Sequence, residues 1–288
     1  MDPRLLESLV EERIASGQVE LPVFPSSAQE VLSLCDSEDV DHKKLAATIR
    51  RDATLAGHFL ALANSAAFGA RVPLVSLQQA LSRLGMNQTK RIALVVACKT
   101  RVFVIPGRPS LTAEILGHAL TTGMIAQEIA RRRRRNVEEA FLCGLLHDIG
   151  RPAVLQLCGE IMLEAGEASV FTDTAPSREV EACASRLHER VGGMIAKLWT
   201  LPKAVVDVIE HHHADLSGHG EAVANAAVVQ LADALAHGYL EGHRGAEGED
   251  AELAALAAHP AANILNLYPE DIEALIAARS TIRDQVQA

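Results

Sequence analysis

Apolar residues recur every three to four positions along most of this 288-residue chain, and this is the spacing of amphipathic α-helices. The first such segment runs from Leu5 to Ile14, and Gly17 ends it. Aromatic residues make up only 3% of the chain, whereas Ala, Leu, Val and charged residues are abundant. That composition favours helices over β-sandwiches or barrels. We therefore predict an all-α protein.

Prolines and glycines divide the chain into segments. The strongest candidate boundary is "IPGRPS", in which Pro106, Gly107 and Pro109 break regular structure together. Just before it, "VFVI" is β-branched and could form a strand, but its helical surroundings favour a buried helix running to about Val104. We predict an N-terminal helix over residues 1–18 and a helical lobe over 19–106. A second helical lobe follows over 107–242, and a linker with C-terminal helices over 243–288.

Charge and hydropathy exclude several classes of protein. The formal net charge of −10 repels phosphate backbones, so nucleic acid is not expected as a partner. The acidic N-terminus lacks the basic start and apolar core of a signal peptide, and no apolar run approaches roughly 20 residues. We expect a soluble, cytoplasmic protein with no membrane partner. Five scattered cysteines without C-x-x-C spacing are predicted to be reduced core thiols: Cys35, Cys98, Cys143, Cys158 and Cys183.

Histidine is the residue type whose distribution points to chemistry, because most of the 12 histidines lie between His118 and His243. Imidazoles and carboxylates on separate helices can build the fixed polyhedron that a transition metal requires. In chain order the candidate donors are His118, His147, Asp148, His188, His211, His212, His213 and Asp233. A lone histidine beside leucines also fits a satisfied core residue, and the triple histidine fits a solvated helix end. The combined order across several helices favours a metal site.

The stretch "FLCGLLHDIGRPAVL" places two strong donors, His147 and Asp148, where an apolar helix is about to end. Adjacent residues of a continuous helix point about 100° apart, so they reach one site more easily where the helix stops. Gly150 and Pro152 are predicted to provide that break. The pair is therefore expected at a helix end, with both side chains turned inward.

Motifs of both lobes carry a resemblance to known proteins. The second lobe contains "GHALTTGMIAQEIA", "GLLHDIG", "HERVGGMIAKLWTLP", "VIEHHHAD" and "VVQLADALA", and the first contains "LPVFPSSAQEVL", "LAATIRRDATLAGHFLALANSAAFG" and "SLQQALSRLG". Together they resemble the HD phosphohydrolase superfamily and its HDOD (HD-related output domain) branch, over roughly Val19 to Gly242. The resemblance implies a helical N-terminal lobe packed on an HD-type helical bundle. It also implies that Asn64 hydrogen-bonds to backbone in the first lobe.

The same resemblance implies a metal site. Four residues match the H…HD…D set of the superfamily: His118, His147, Asp148 and Asp233. Three others match the histidines with which the HD-GYP relatives bind a second metal: His188, His212 and His213. His211 falls where the family usually has an aromatic residue, so we interpret it as a neighbour of the site. One or two divalent ions are then expected, Fe or Mn or alternatively Zn, with the two oxygens of Asp148 bridging them.

Two functions remain open on this basis. HDOD domains are mostly regarded as signalling modules, which implies a regulatory protein acting through protein partners or a nucleotide or cyclic dinucleotide ligand. The retained ligands also fit a metal-dependent phosphohydrolase or phosphodiesterase for such nucleotides, with Asp148 and Arg151 as catalytic candidates. Against the enzyme, "HHHADLSGHG" lacks the Gly-Tyr-Pro element of the HD-GYP relatives, and Arg151 stands where they have lysine. A purely structural helical bundle is the third alternative.

Overall fold

The structure is a computed structural model, and it describes residues 1–19, 21–37, 41–65, 68, 74–167, 175–218, 220–240 and 246–287. These residues form α-helices and no β-strand, which confirms the all-α prediction. In this part of the chain, no helix combines the length and the hydropathy needed to cross a bilayer. The chain divides into two compact units, one of Pro22–Val104 and one that joins Met1–Leu21 to Ile105–Ala288.

The described residues of Pro22–Val104 form four α-helices and a π-helical turn. They are α2 (Ser26–Cys35), α3 (His42–Arg50), α4 (Ala53–Ala63), α5 (Leu77–Ala97) and the π turn (Cys98–Val102). Gly85 interrupts α5, because its backbone, with φ of 76°, is not helical. Glycine adopts this conformation without strain. The apolar faces of all four helices meet in one core, in which Phe59 and Leu81 are fully buried. The helical run ends at Val102, two residues before the predicted end near Val104, and the rest of "VFVI" forms neither helix nor strand.

Asn64 joins two helices of this unit. Its Nδ2 donates a hydrogen bond to the carbonyl oxygen of Leu74 at 2.8 Å, and its Oδ1 accepts one from the Leu74 N–H at 2.6 Å. Because Asn64 follows α4 directly and Leu74 lies just before α5, the pair ties the two helices together. The predicted backbone role of Asn64 is confirmed.

The other unit contains the predicted metal ligands. Its helices are α1 (Pro3–Ala15), α6 (Pro109–Arg132), α7 (Val137–Leu146), α8 (Gly150–Glu164), α9 (Arg178–Leu198), α10 (Lys203–His211), α11 (Glu221–Leu240), α12 (Ala246–Ala257), α13 (Pro260–Ile264) and α14 (Pro269–Gln287). The N-terminal helix α1 packs against α8 and α9. Side-chain caps begin several of these helices, among them α7 with Asn136 and α9 with Ser177.

The C-terminal helices share a core with α11: α12 and α13 pack against α11, and α14 packs against α6 and α12. Arg279 of α14 forms a buried two-pronged ion pair with Glu252 of α12, with N···O distances of 2.6 and 2.7 Å. The same guanidinium donates to the carbonyl oxygen of Leu235 in α11 at 3.3 Å. These contacts hold α11, which carries Asp233, in a fixed position within its unit.

All five cysteines are buried free thiols, which confirms the prediction of reduced core residues.

Candidate metal centre

Two close helix crossings bring the predicted ligands together. A Cβ on Gly144 of α7 would lie 2.8 Å from the Cα of Gly123 in α6. A Cβ on Gly150 of α8 would lie only 2.1 Å from the carbonyl oxygen of His188 in α9. Both separations are shorter than van der Waals contact, so these backbones approach as closely as they do because glycine has no side chain. The donors on these helices thereby face one another.

The His147–Asp148 pair occupies a turn between two helices. α7 ends at Leu146 and α8 begins at Gly150, so the predicted helix end is confirmed. The predicted cause was wrong: Gly150 and Pro152 both lie in the first turn of α8, where proline is tolerated, and neither ends α7. Gly150 is required instead because its backbone lies against α9.

Three of the predicted ligands form a first group: His118, His147 and Asp233. The Nε2 atom of His118 lies 2.9 Å from Oδ1 of Asp233, and the Nε2 atom of His147 lies 3.6 Å from the same oxygen. The ligand atoms of the group all lie within 4.8 Å of one another, and both imidazoles are buried. One ion could therefore contact all three.

The other four predicted ligands form a second group: Asp148, His188, His212 and His213. Oδ1 of Asp148 lies 3.3 Å from Nε2 of His188 and 3.5 Å from Nε2 of His212. His188 and His212 are buried, whereas His213 is exposed, so this group extends from the interior to the protein surface.

Asp148 connects the two groups. While its Oδ1 faces His188 and His212, its Oδ2 lies 3.6 Å from Nε2 of His147. One carboxylate oxygen is thus directed at each group, which is the arrangement of a carboxylate that bridges two cations. All seven predicted ligands converge on this region, although their role as ligands stays a prediction.

Backbone carbonyls orient three of the imidazoles. Nδ1 of His147 lies 2.8 Å from the carbonyl oxygen of Gly144. Nδ1 of His188 lies 3.0 Å from that of Ala184, and Nδ1 of His212 lies 3.1 Å from that of Ile209. A carbonyl only accepts hydrogen bonds, so each Nδ1 carries a proton, and in its neutral form each ring directs the lone pair of Nε2 into the site. Metal-binding histidines are commonly held in this way by a second hydrogen bond on the far side of the ring.

The chemistry of this donor set fits a divalent metal. The Nε2 atoms of His188 and His212 lie 3.2 Å apart, so in the neutral tautomers two lone pairs face each other, an arrangement that a cation stabilises. Imidazole nitrogens together with carboxylate oxygens suit Fe, Mn or Zn. The residues present would therefore hold such an ion without rearrangement of their tautomers.

Charge in the site is strongly coupled. Burial would lower the pKa of His147, but the carboxylates of Asp148 and Asp233 raise it to about 9. Burial also opposes ionisation of the two aspartates, but the surrounding imidazoles hold the pKa of Asp148 and of Asp233 well below the usual range. For His188, burial outweighs the nearby carboxylate and lowers the pKa. Both aspartates are therefore charged at neutral pH, as metal ligands must be.

Two residues beside the ligands were missed in the sequence. His237 lies one turn after Asp233 on α11, and its Nδ1 is 3.1 Å from Oδ1 of Asp233. Glu189 follows His188, and its Oε1 accepts a hydrogen bond from the backbone N–H of His213 at 2.9 Å. The sequence signal for both was their distance from a predicted ligand: His237 lies four residues after Asp233, and Glu189 lies one residue after His188.

Arg151 and His211 lie outside the two ligand groups. Arg151, predicted as catalytic, donates to Oε1 of Glu181 in α9 at 2.5 Å, and its catalytic role stays a prediction. His211 is exposed, belongs to neither ligand group, and directs Nδ1 to the backbone oxygen of Asp207 at 3.0 Å. This agrees with its interpretation as a neighbour of the site.

Comparisons with known proteins identify similar chains. The family model for the HDOD domain matches residues 21–215. An uncharacterized protein of Treponema pallidum (strain Nichols) is 24% identical over 202 residues, which cover 69% of this chain. The chain spans 39% of the length of that curated relative.

Solved structures share the fold. A crystal structure of an HDOD domain protein with unknown function from Geobacter sulfurreducens has a TM-score of 0.70 and 24% identity, covering 99% of this chain and 98% of that one. A Shewanella amazonensis SB2B protein, provisionally named a metal-dependent phosphohydrolase, has a TM-score of 0.70 and 22% identity, covering 99% of both chains. At these identities the likeness demonstrates a common fold.

Proposed function

This chain belongs to the HDOD family, and on that premise we propose that it is a regulatory signal-transduction protein whose HD-type site binds two divalent metal ions. It would act through contacts with signalling proteins or with a nucleotide or cyclic dinucleotide ligand. The observation that carries the metal site is the position of Asp148, with one oxygen directed at each of two histidine-rich groups. A single carboxylate placed in this way links two ion sites into one centre.

The seven ligands divide between the ions. His118, His147 and Asp233 would hold one ion, His188, His212 and His213 would hold the other, and Asp148 would serve both. Fe and Mn are favoured by the mixed imidazole and carboxylate donors, with Zn as the alternative. When bound, such ions polarise phosphoryl oxygens, so a phosphate-bearing ligand is the class expected at the site.

The regulatory role is favoured over catalysis by the position of Arg151. Its guanidinium would be the natural partner of a phosphate, yet it is paired with the carboxylate of Glu181. Its charge is therefore compensated within the protein, and the site is better suited to holding a ligand than to stabilising added negative charge in a transition state. Helices α9, α10 and α11, each of which carries or precedes a ligand, would transmit occupancy of the site to a partner protein.

Metal-dependent hydrolysis of a phosphoester is the second candidate, and the exposure of His213 supports it. Because this member of the second group reaches the surface, a phosphate could approach the centre from solvent. In that case Asp148 would orient both ions, and the carbonyl-held rings of His188 and His212 would keep their lone pairs directed at the second one.

Elemental analysis tests the proposal. Protein purified without chelator or His-tag should contain about two ions of Fe, Mn or Zn per chain, and Asp148→Ala should contain none while remaining folded. A folded wild type without metal would refute the metal site. Turnover of cyclic dinucleotides or nucleotide phosphoesters by the metal-loaded protein, absent in Asp148→Ala, would favour the hydrolase over the regulatory module.

A further inference from the structure

The imidazoles of the site are not all held in the same way. His147, His188 and His212 are each oriented by a hydrogen bond from Nδ1 to a backbone carbonyl. His118 differs, because its Nδ1 is buried and has no hydrogen-bond partner among the described residues. The orientation of the His118 ring therefore depends on contacts made by its other atoms.

His237 lies against both His118 and Asp233. The ring centroids of His237 and His118 are 4.6 Å apart, with the planes tilted by 59°. The Nδ1 atom of His237 lies 3.1 Å from Oδ1 of Asp233, the same oxygen that lies 2.9 Å from Nε2 of His118. His237 thus contacts His118 and Asp233, the two ligands of the first group that are not oriented by a hydrogen bond to a backbone carbonyl.

The hydrogen bond of His237 goes to the backbone. Nδ1 of His237 donates to the backbone oxygen of Asp233 at 3.1 Å, and the carboxylate oxygen Oδ1 of Asp233 lies at the same distance as a charge contact. The ring is 58% exposed at its outer side. His237 therefore lies beside the carboxylate of Asp233 while the backbone holds its Nδ1.

We propose that His237 is a positioning residue for the first ligand group: its Nδ1 lies against the carboxylate of Asp233 and its ring packs against His118, so it keeps both ligands directed at one of the two ions. The inference rests on the proposed function, since it assigns a role toward a bound metal. Partners that orient a metal ligand in this way typically contribute about 10-fold to 100-fold to metal affinity.

The effect should be confined to one ion. The second group is held by other contacts, namely the carbonyl bonds of His188 and His212 and the hydrogen bond from His213 N–H to Glu189. None of these involves His237. Loss of the His237 side chain should therefore weaken the ion bound by the first group and leave the other ion in place.

Calorimetric titration of metal-stripped protein with Mn²⁺ tests this inference. In His237→Ala the dissociation constant of one ion should rise by about 10-fold to 100-fold, while the other stays as in the wild type. His237→Gln should recover much of the loss, because glutamine can donate to an aspartate one helical turn away. His211→Ala is the matched control, since the His211 side chain is exposed, makes the same contact with a backbone oxygen one turn back, and belongs to neither ligand group.

Each outcome is decisive. Two wild-type-like binding steps in His237→Ala, with circular dichroism confirming a folded variant, would overturn the inference and leave the proposed function standing. Equal weakening by His211→Ala, or loss of both ions in His237→Ala, would also overturn it. A wild type that binds no Mn²⁺, Fe²⁺ or Zn²⁺ would remove the proposed function as well.

Discussion

The Nε2 atoms of His188 and His212 lie 3.2 Å apart, and the Nδ1 atom of each ring is committed to a backbone carbonyl. Two neutral imidazoles in this arrangement repel each other through their lone pairs, whereas a cation or a proton between them attracts both. Oδ1 of Asp148 lies within 3.5 Å of the same two nitrogens and adds negative charge. Protons and metal ions therefore compete for the same atoms.

Removing the charge of Asp148 while keeping its shape should release both ions. In Asp148→Asn the amide group cannot bridge two cations, and its nitrogen has no lone pair to offer a metal. For the wild type, a metal concentration of 100 times the dissociation constant should add about 2.7 kcal/mol to the free energy of unfolding, and this gain should vanish in the variant. Urea unfolding with and without Mn²⁺ measures both.

Asp207→Asn serves as the control for that experiment, because Asp207 pairs with the exposed Lys203 and belongs to neither ligand group. It should keep the full metal-dependent gain. A metal-dependent gain that persists in Asp148→Asn would show that this carboxylate does not bridge the ions.

Glu189 should act on the second group as His237 acts on the first. Its Oε1 accepts the hydrogen bond of His213 N–H and lies 3.6 Å from Nδ1 of His212, so it positions the segment that carries both ligands. Glu189→Ala should lower the affinity for one ion by about 10-fold to 100-fold, and Glu189→Gln, which keeps an acceptor oxygen, should lower it less. Mn²⁺ titration of the two variants distinguishes these effects.

Glu11→Ala is the matched control, since Glu11 pairs at the surface with Arg190, the residue next to Glu189. Exposed pairs of this kind contribute little, so both ions should bind as in the wild type. Combining Glu189→Ala with His237→Ala should weaken both ions, and a double variant that affects only one would contradict the division into two groups.

Gly150→Ala should disturb the site through the backbone. The added Cβ would lie 2.1 Å from the carbonyl oxygen of His188 and 2.4 Å from the backbone nitrogen of Gly192, so α8 and α9 must separate. Overpacking of this kind costs about 1–3 kcal/mol or more in the free energy of unfolding. Because His188 moves with α9, metal affinity should fall as well, which thermal unfolding and Mn²⁺ titration would detect together.

Gly117→Ala provides the comparison within α6, where a Cβ would meet no atom within 4 Å. Alanine is the better helix former, so this change should stabilise the protein by about 0.5–1 kcal/mol. If both alanine variants behaved alike, the close crossing at Gly150 would not be what holds α8 and α9 in place.

The stability of the metal-free protein should fall as the pH rises from about 6.5 to about 9. Against the effect of burial, Asp148 and Asp233 raise the pKa of His147 from 6.5 to about 9, and hydrogen bonding to Asp233 raises that of His237 to about 9. A group whose pKa is raised on folding contributes stability that is fully present below the unfolded value and is lost as the pH passes the folded one. The pKa of His188 is lowered, so this residue changes the stability only at pH values below the usual pKa of histidine, outside this window.

Urea unfolding in EDTA across this pH window measures the effect, and His147→Gln should reduce the slope. Metal-loaded protein should show the opposite trend, because the metal requires the deprotonated rings and binds more tightly as the pH rises. A metal-free stability that is constant or increases between pH 6.5 and 9 would contradict the assigned couplings.

Local patterns were sufficient for the helices but not for their contacts. The three-to-four spacing predicted helices along most of the chain, because burial of one helical face leaves a periodic record in the sequence. The helix end at His147 was also predicted, but its cause was assigned to Gly150, whose real role lies in contact with α9. A requirement for glycine looks the same in the sequence whether a turn or a close crossing imposes it.

The sequence by itself determined the all-α class, since helical spacing is a local property, and its resemblance to the HD phosphohydrolases predicted the seven donors. Only the tertiary structure decided how close the donors within each group lie, that Arg151 pairs with Glu181, and that His237 lies against Asp233. The physical reason is that distances between residues on different helices depend on how those helices cross. Here the crossings depend on backbone contacts between residues far apart in the chain, such as Gly123 with Gly144 and Gly150 with His188.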